Sequence, residues 1–109
     1  MAGTILDLTD QTWEAEVMAS RQAVLVDFWA DWCVPCKTML PSIEAVAKQF
    51  DGKLKVVKLN VEENAQVPFR YNITSLPTLL LIKGGMVAEQ RVGLVSKENL
   101  IKLLEPHLG

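Results

Sequence analysis

"AVLVDFWADWCVPCKTMLP", Ala23 to Pro41, carries an apolar, β-branched run into a loop that holds both cysteines of the chain. The segment Ala23–Ala30 reads as a strand covered on both faces, as in a parallel sheet, and only Asp27 breaks its apolar character. Beyond the cysteines, Met39, Leu40, Ile43, Val46, Ala47 and Phe50 recur at three- and four-residue spacing. That spacing predicts a helix over Cys33–Phe50, kinked at Pro41, which has no N–H to donate.

The same reading extends along the chain. "LTDQTWEAEVMAS" predicts a first helix capped by Thr9 or Asp10, with Trp13, Val17 and Met18 as its apolar stripe. "KLKVVKLNV" reads as a second buried strand, and "EENAQVPFRYN" as a short helix that Pro68 must bend or restart. "PTLLLIKGGMVAEQRVG" is two strand-like runs joined by Gly84-Gly85, the signature of a hairpin with a two-residue turn. Ser96 can cap "KENLIKLLEPHL", whose leucines and Ile101 form one apolar face. Strands and helices alternate before a hairpin closes the sheet, so an α/β fold with helices on both faces is expected.

At 109 residues and 12.1 kDa the chain suits one domain, 1–109, with one core. Half of its residues are apolar, which excludes wholesale disorder. A net charge of -2 supplies no basic field, so nucleic acid and anionic membranes are not expected partners. No segment has the length of a membrane span or the pattern of a leader peptide. Two cysteines in one local pair, beside a core-rich composition, point to a reducing, cytoplasmic compartment.

Cys33 and Cys36 admit three chemical readings. A structural zinc site needs four ligands, and the only other soft ligand is His107, expected as a solvated residue near the C-terminus. A staple closing so short a loop removes only about 2 kcal/mol of unfolded-state entropy, in a segment the helix already orders. A catalytic pair accounts for the placement better. Residues three apart at a helix start are neighbours on one face, and a cysteine at the helix N-terminus meets free N–H groups and the positive dipole end, which favour the thiolate. Cys33 is then the nucleophile, and Cys36, one turn further in and less exposed, resolves the mixed disulfide. The loop after a strand's carboxyl end is also where open α/β sheets build their sites.

These residues resemble the thioredoxin family. "VDFWADWCVPCK", "SLPTLLLIKGG" and "VGLVSKENL" are similar in order and spacing to that family's active-site, proline-loop and C-terminal segments, over essentially the whole chain. The resemblance implies a thioredoxin-like fold, a central five-stranded mixed sheet with four helices, and reduction of protein disulfides. It also implies a thioredoxin-reductase-type electron donor, disulfide-containing client proteins and a monomer. No cofactor is implied beyond the redox-active Cys33–Cys36 disulfide.

Asp27 matches the family's buried carboxylate, which helps deprotonate the resolving thiol. Independently, a carboxylate in an apolar strand should have a raised pKa, as a base near neutral pH requires. Lys58, on the strand face of Leu54 and Val56, matches the lysine near that carboxylate. Pro77 matches the family's cis-proline facing the cysteines. Trp32, Leu76, Val92 and Gly93, with Val34 and Val61, would form an apolar docking surface, and Trp29 would pack beside the site. Val34 stands where the family has glycine, before Pro35. It stiffens the loop and adds apolar cover, which opens the redox potential to change. Ser75 replaces a second family glycine. The same spacing would serve an oxidant or isomerase, and a scaffold subunit with incidental cysteines is the reading from another class.

Overall fold

A computed structural model describes residues 4–108. Its centre is a five-stranded sheet in the order β1-β3-β2-β4-β5, formed by Ile5–Leu8, Ala23–Trp29, Leu54–Asn60, Thr78–Lys83 and Met86–Val92 in chain order β1 to β5. Strands β1, β3 and β2 run parallel, and β4 and β5 are antiparallel additions. The helices are a π-helical turn, Glu14–Met18, and α1 (Val34–Gln49), α2 (Gln66–Arg70) and α3 (Lys97–Leu108).

Both faces of the sheet are covered. On one, Leu25, Val56, Leu79 and Leu81 pack with Met39, Ile43 and Val46 of α1 and Leu100 and Leu104 of α3. On the other, Val24, Val26, Phe28, Val57 and Leu80 pack with Trp13, Val17 and Val67. Residues of β2 alternate between the two cores, which is why its sequence is apolar at successive positions. The hairpin closes through Gly84 and Gly85, both at positive φ (58° and 79°), the backbone that a two-residue turn demands and glycine adopts at least cost.

Several details differ from the expectation or sharpen it. The four-residue edge strand β1 is absent from the residue-by-residue reading, although the family resemblance implies a fifth strand. The first helix contracts to the π-helical turn, where the Ala19 N–H donates to the Glu14 carbonyl (2.9 Å) while Trp13 and Val17 remain buried. The helix expected around Pro41 is present as α1, which runs through that residue on its exposed side, where the missing hydrogen bond falls towards water. His107 is not freely solvated: in the last turn of α3, its Nε2 lies 2.8 Å from Glu89 Oε2 of β5.

Asp10 caps a helix, but a distant one. Its carboxylate accepts the N–H groups of Gln66 (3.1 Å) and Val67 (2.9 Å) at the start of α2, and its own N–H donates to Asn64 Oδ1 (2.9 Å). Ser96 caps α3 as expected, its Oγ accepting the Asn99 N–H at 3.1 Å. Asp10→Ala should lower the stability by about 1–2 kcal/mol, because two donors at a helix start lose their acceptor. Urea denaturation midpoints of the two proteins test this, and equal midpoints contradict it.

Candidate active site

Strand β2 ends at Trp29, and a tight turn follows in which the Cys33 N–H donates to the Ala30 carbonyl (3.1 Å). This turn delivers Cys33 to the N-cap of α1 in an extended conformation, with φ -86° and ψ 99°. Its Sγ accepts the Cys36 backbone N–H at 3.2 Å. Its carbonyl accepts the Lys37 N–H at 3.4 Å. Pro35 lies in the first turn, where the missing N–H costs nothing. Cys33 and Cys36 form a disulfide with Cα atoms 5.3 Å apart, within the ordinary range for the bond.

The two cysteines are equally buried, 3% exposed for Cys33 and 4% for Cys36, so the expected difference in exposure is absent. Trp29, Ala30, Val61 and Leu76 pack around the pair as one cluster, and the disulfide draws the first sulfur into the same packing as the second. What separates the cysteines is position on the helix: Cys33 is the cap that receives an N–H, and Cys36 lies inside the first turn.

Leu76 comes from the loop before β4, and the Leu76–Pro77 peptide bond is cis. The Pro77 carbonyl accepts the Gly93 N–H at 2.8 Å, joining the proline loop to the end of β5. Trp32 and Val34, on either side of Cys33 in the chain, are 66% and 69% exposed, and Val92 is also exposed. Leu94, which the sequence reading omits, adds another exposed apolar side chain next to Gly93. Large exposed side chains near a buried disulfide are the residues a protein partner could cover.

Asp27 and Lys58 are directly opposite in the β2–β3 register. With Trp29, Cys36, Lys37 and Leu40 they line a cleft of about 220 Å³. Leu40 enters the sequence reading only as part of the apolar stripe of α1, and Lys37 not at all as a site residue, although one turn of helix separates Leu40 from Cys36. Asp27 is 2% exposed, and its Oδ1 has no hydrogen-bond partner among the described residues. Burial pushes its carboxyl up to about 7, against the opposing pull of the Lys58 cation. The Lys58 ammonium lies 5.2 Å from the centroid of the Trp29 ring and 3.7 Å from Asp7 Oδ1. A buried carboxylate that titrates near neutrality and shares a cleft with Cys36 has the acidity that a proton acceptor for a thiol needs. Among the described residues no group of three or more His, Cys, Asp or Glu side chains is arranged to hold a metal.

The sequence of residues 4–106 matches the family model described as Thioredoxin. The chain is 44% identical to a thioredoxin of Chlorobaculum thiosulfatiphilum over 99% of its own length and all of that protein. It is 48% identical to thioredoxin 1 of Nostoc sp., covering 93% of this chain and 94% of the relative. A thioredoxin of Pseudomonas aeruginosa is 42% identical, again over 99% of this chain and the relative's full length. Such agreement along the whole sequence, with the cysteine pair at the end of β2, shows that the chain belongs to the thioredoxin family and is a protein-disulfide reductase working by dithiol–disulfide exchange.

Proposed function

We propose that residues 1–109 act as one monomeric, cytoplasmic domain in which Cys33 is the nucleophile and Cys36 the resolving thiol. The observation that carries this reading is the N-cap position of Cys33, whose Sγ receives the Cys36 N–H. A hydrogen bond from a helix-end N–H favours the thiolate over the thiol.

In the forward direction the Cys33 thiolate attacks one sulfur of a client disulfide, forming a mixed disulfide and expelling the other client sulfur as a thiolate. Asp27, ionised, takes the proton of Cys36. The Cys36 thiolate then attacks Cys33 Sγ, releasing the second client thiolate and forming the Cys33–Cys36 disulfide. Two electrons pass to the client, and a thioredoxin-reductase-type donor returns them. Trp32, Leu76, Pro77, Val92 and Gly93 dock the client around the disulfide. Val34, Pro35 and Lys58 tune the pair: the first two through the loop and the third through its charge on Asp27.

How strong a reductant the pair is depends on its potential. Equilibration with glutathione buffers should give a value near the roughly -270 mV of a thioredoxin-type reductant, and a value near about -120 mV would identify an oxidant instead. In the same assay Val34→Gly should raise the potential by some tens of millivolts, since about 30 mV corresponds to only ~1.4 kcal/mol. Removing an apolar neighbour improves solvation of the Cys33 thiolate and so stabilises the reduced form. A lower potential would show that loop stiffness controls this position.

A further inference from the structure

Lys58 stands between two carboxylates. In the sheet register Asp7 of β1 and Asp27 of β2 are its direct partners on either side. The three side chains therefore form one row on the face covered by α1. The row is asymmetric. Asp7 is 76% exposed and its Oδ1 lies 3.7 Å from Lys58 Nζ, the only ion pair that Lys58 makes among the described residues. Asp27, buried on the other side, has an unpartnered Oδ1 and no ion pair within 4.0 Å. The ammonium thus rests over the Trp29 ring and beside Asp7, while the Lys58 side chain also lines the cleft that holds Asp27.

We propose that Asp7 is a positioning residue: it holds the Lys58 ammonium beyond ion-pair distance of Asp27 and thereby keeps the Asp27 carboxyl unpaired and able to bind a proton. The consequence for catalysis rests on the reading of Asp27 as the base for Cys36, while the positioning itself does not. An ammonium that swung inward would favour the Asp27 carboxylate and weaken it as a proton acceptor. The other charged or titratable groups around this row come from α1 and two loops: Cys36 and Lys37 line the cleft with Asp27, Glu44 and Lys48 line a second cleft with Lys58, and Asp31 and Glu63 line a third with Asp7 and Trp29. Opposite Asp27, β4 contributes Leu79, which carries no charge.

Asp7 could also act on Asp27 directly, as one negative charge on another. The two strands lie about 10 Å apart, roughly a Debye length at physiological salt, so that direct influence is weak. A double-mutant cycle separates the routes. The Asp27 carboxyl is titrated by carbon NMR in the oxidised protein, where the cysteines do not titrate. Asp7→Asn should lower the midpoint by at least ~0.3 unit, about a twofold loss of proton affinity, and Asp7→Glu should restore it. In a Lys58→Met background Asp7→Asn should have no effect. Equal shifts in both backgrounds, or no downward shift with Lys58 present, would overturn the proposal. The pH profile of disulfide reduction tests the other reading: if the NMR midpoint moves and the profile does not, Asp7 positions Lys58 but Asp27 is not the base.

Discussion

Replacing Cys33 with serine is expected to reduce protein-disulfide reduction to background, a loss of roughly 10³-fold or more, as when other enzymes lose their nucleophile. The hydroxyl that replaces the thiol has too high a pKa to ionise near neutrality, even at a helix N-terminus, so no mixed disulfide forms and no electrons leave the protein. The fold should survive. Cys33 and Cys36 close a short loop in a segment already ordered by α1, and losing that bridge costs about 2 kcal/mol. The initial rate of reduction of a disulfide-bonded protein, measured with the variant pre-reduced by a small dithiol that is then removed, checks the expectation. Retention of a tenth or more of the wild-type rate contradicts it.

Asp27→Asn should have the largest effect on stability. The folded pKa of Asp27 is raised from 3.8 to about 7 by burial, so between these values the folded state holds more protons than the unfolded state. Stability therefore falls as pH rises through this window, is unaffected by this group below the lower value, and carries the full penalty above the upper one. A shift of this size corresponds to about 4 kcal/mol at pH 8. Asparagine is never charged, so the oxidised variant should be more stable than wild type at pH 8, by roughly 2–4 kcal/mol after the altered hydrogen bonding is allowed for. At pH 4 the two proteins should be similar. The His107–Glu89 pair is common to both and cancels in the difference. The same substitution should slow disulfide reduction, most strongly above pH 7, where wild-type Asp27 is ionised. Guanidinium midpoints that stay parallel from pH 4 to 8 would show that burial does not strain this carboxylate.

How much of this could be read from residues alone depended on how local the physics was. Strands β2 and β4 are legible because burial on two faces leaves an almost continuous apolar run, β3 because Leu54, Val56, Val57 and Leu59 are buried around two lysines, and the hairpin because two positive-φ positions select Gly-Gly. Strand β1 is four residues long, with Leu6 and Asp7 both exposed, so its sequence shows no period to detect. Asp10 has the composition of a local cap and caps α2 instead, because a chain crossing 56 residues later is invisible to a propensity argument. At the site, the N-cap geometry of Cys33 follows from strand, loop and helix in order. The burial of its sulfur depends on Val61 and Leu76, which arrive from elsewhere in the chain. The cis bond at Pro77 came only from the family resemblance, since nothing in "SLPT" distinguishes it from an ordinary trans proline.

The central claim is the order of events, in which Cys33 attacks and Cys36 resolves, and it is tested most directly by trapping. Reduced Cys36→Ser and Cys33→Ser proteins are each incubated with the same oxidised protein substrate, quenched with acid and an alkylating agent, and separated on non-reducing gels. Cys36→Ser should accumulate a covalent adduct that a dithiol dissolves, because its serine cannot displace the client from Cys33. Cys33→Ser should give little adduct, since its remaining thiol lies inside the first turn of α1, enclosed by Trp29, Ala30, Val61 and Leu76. More adduct from Cys33→Ser than from Cys36→Ser would reverse the assignment and contradict the account.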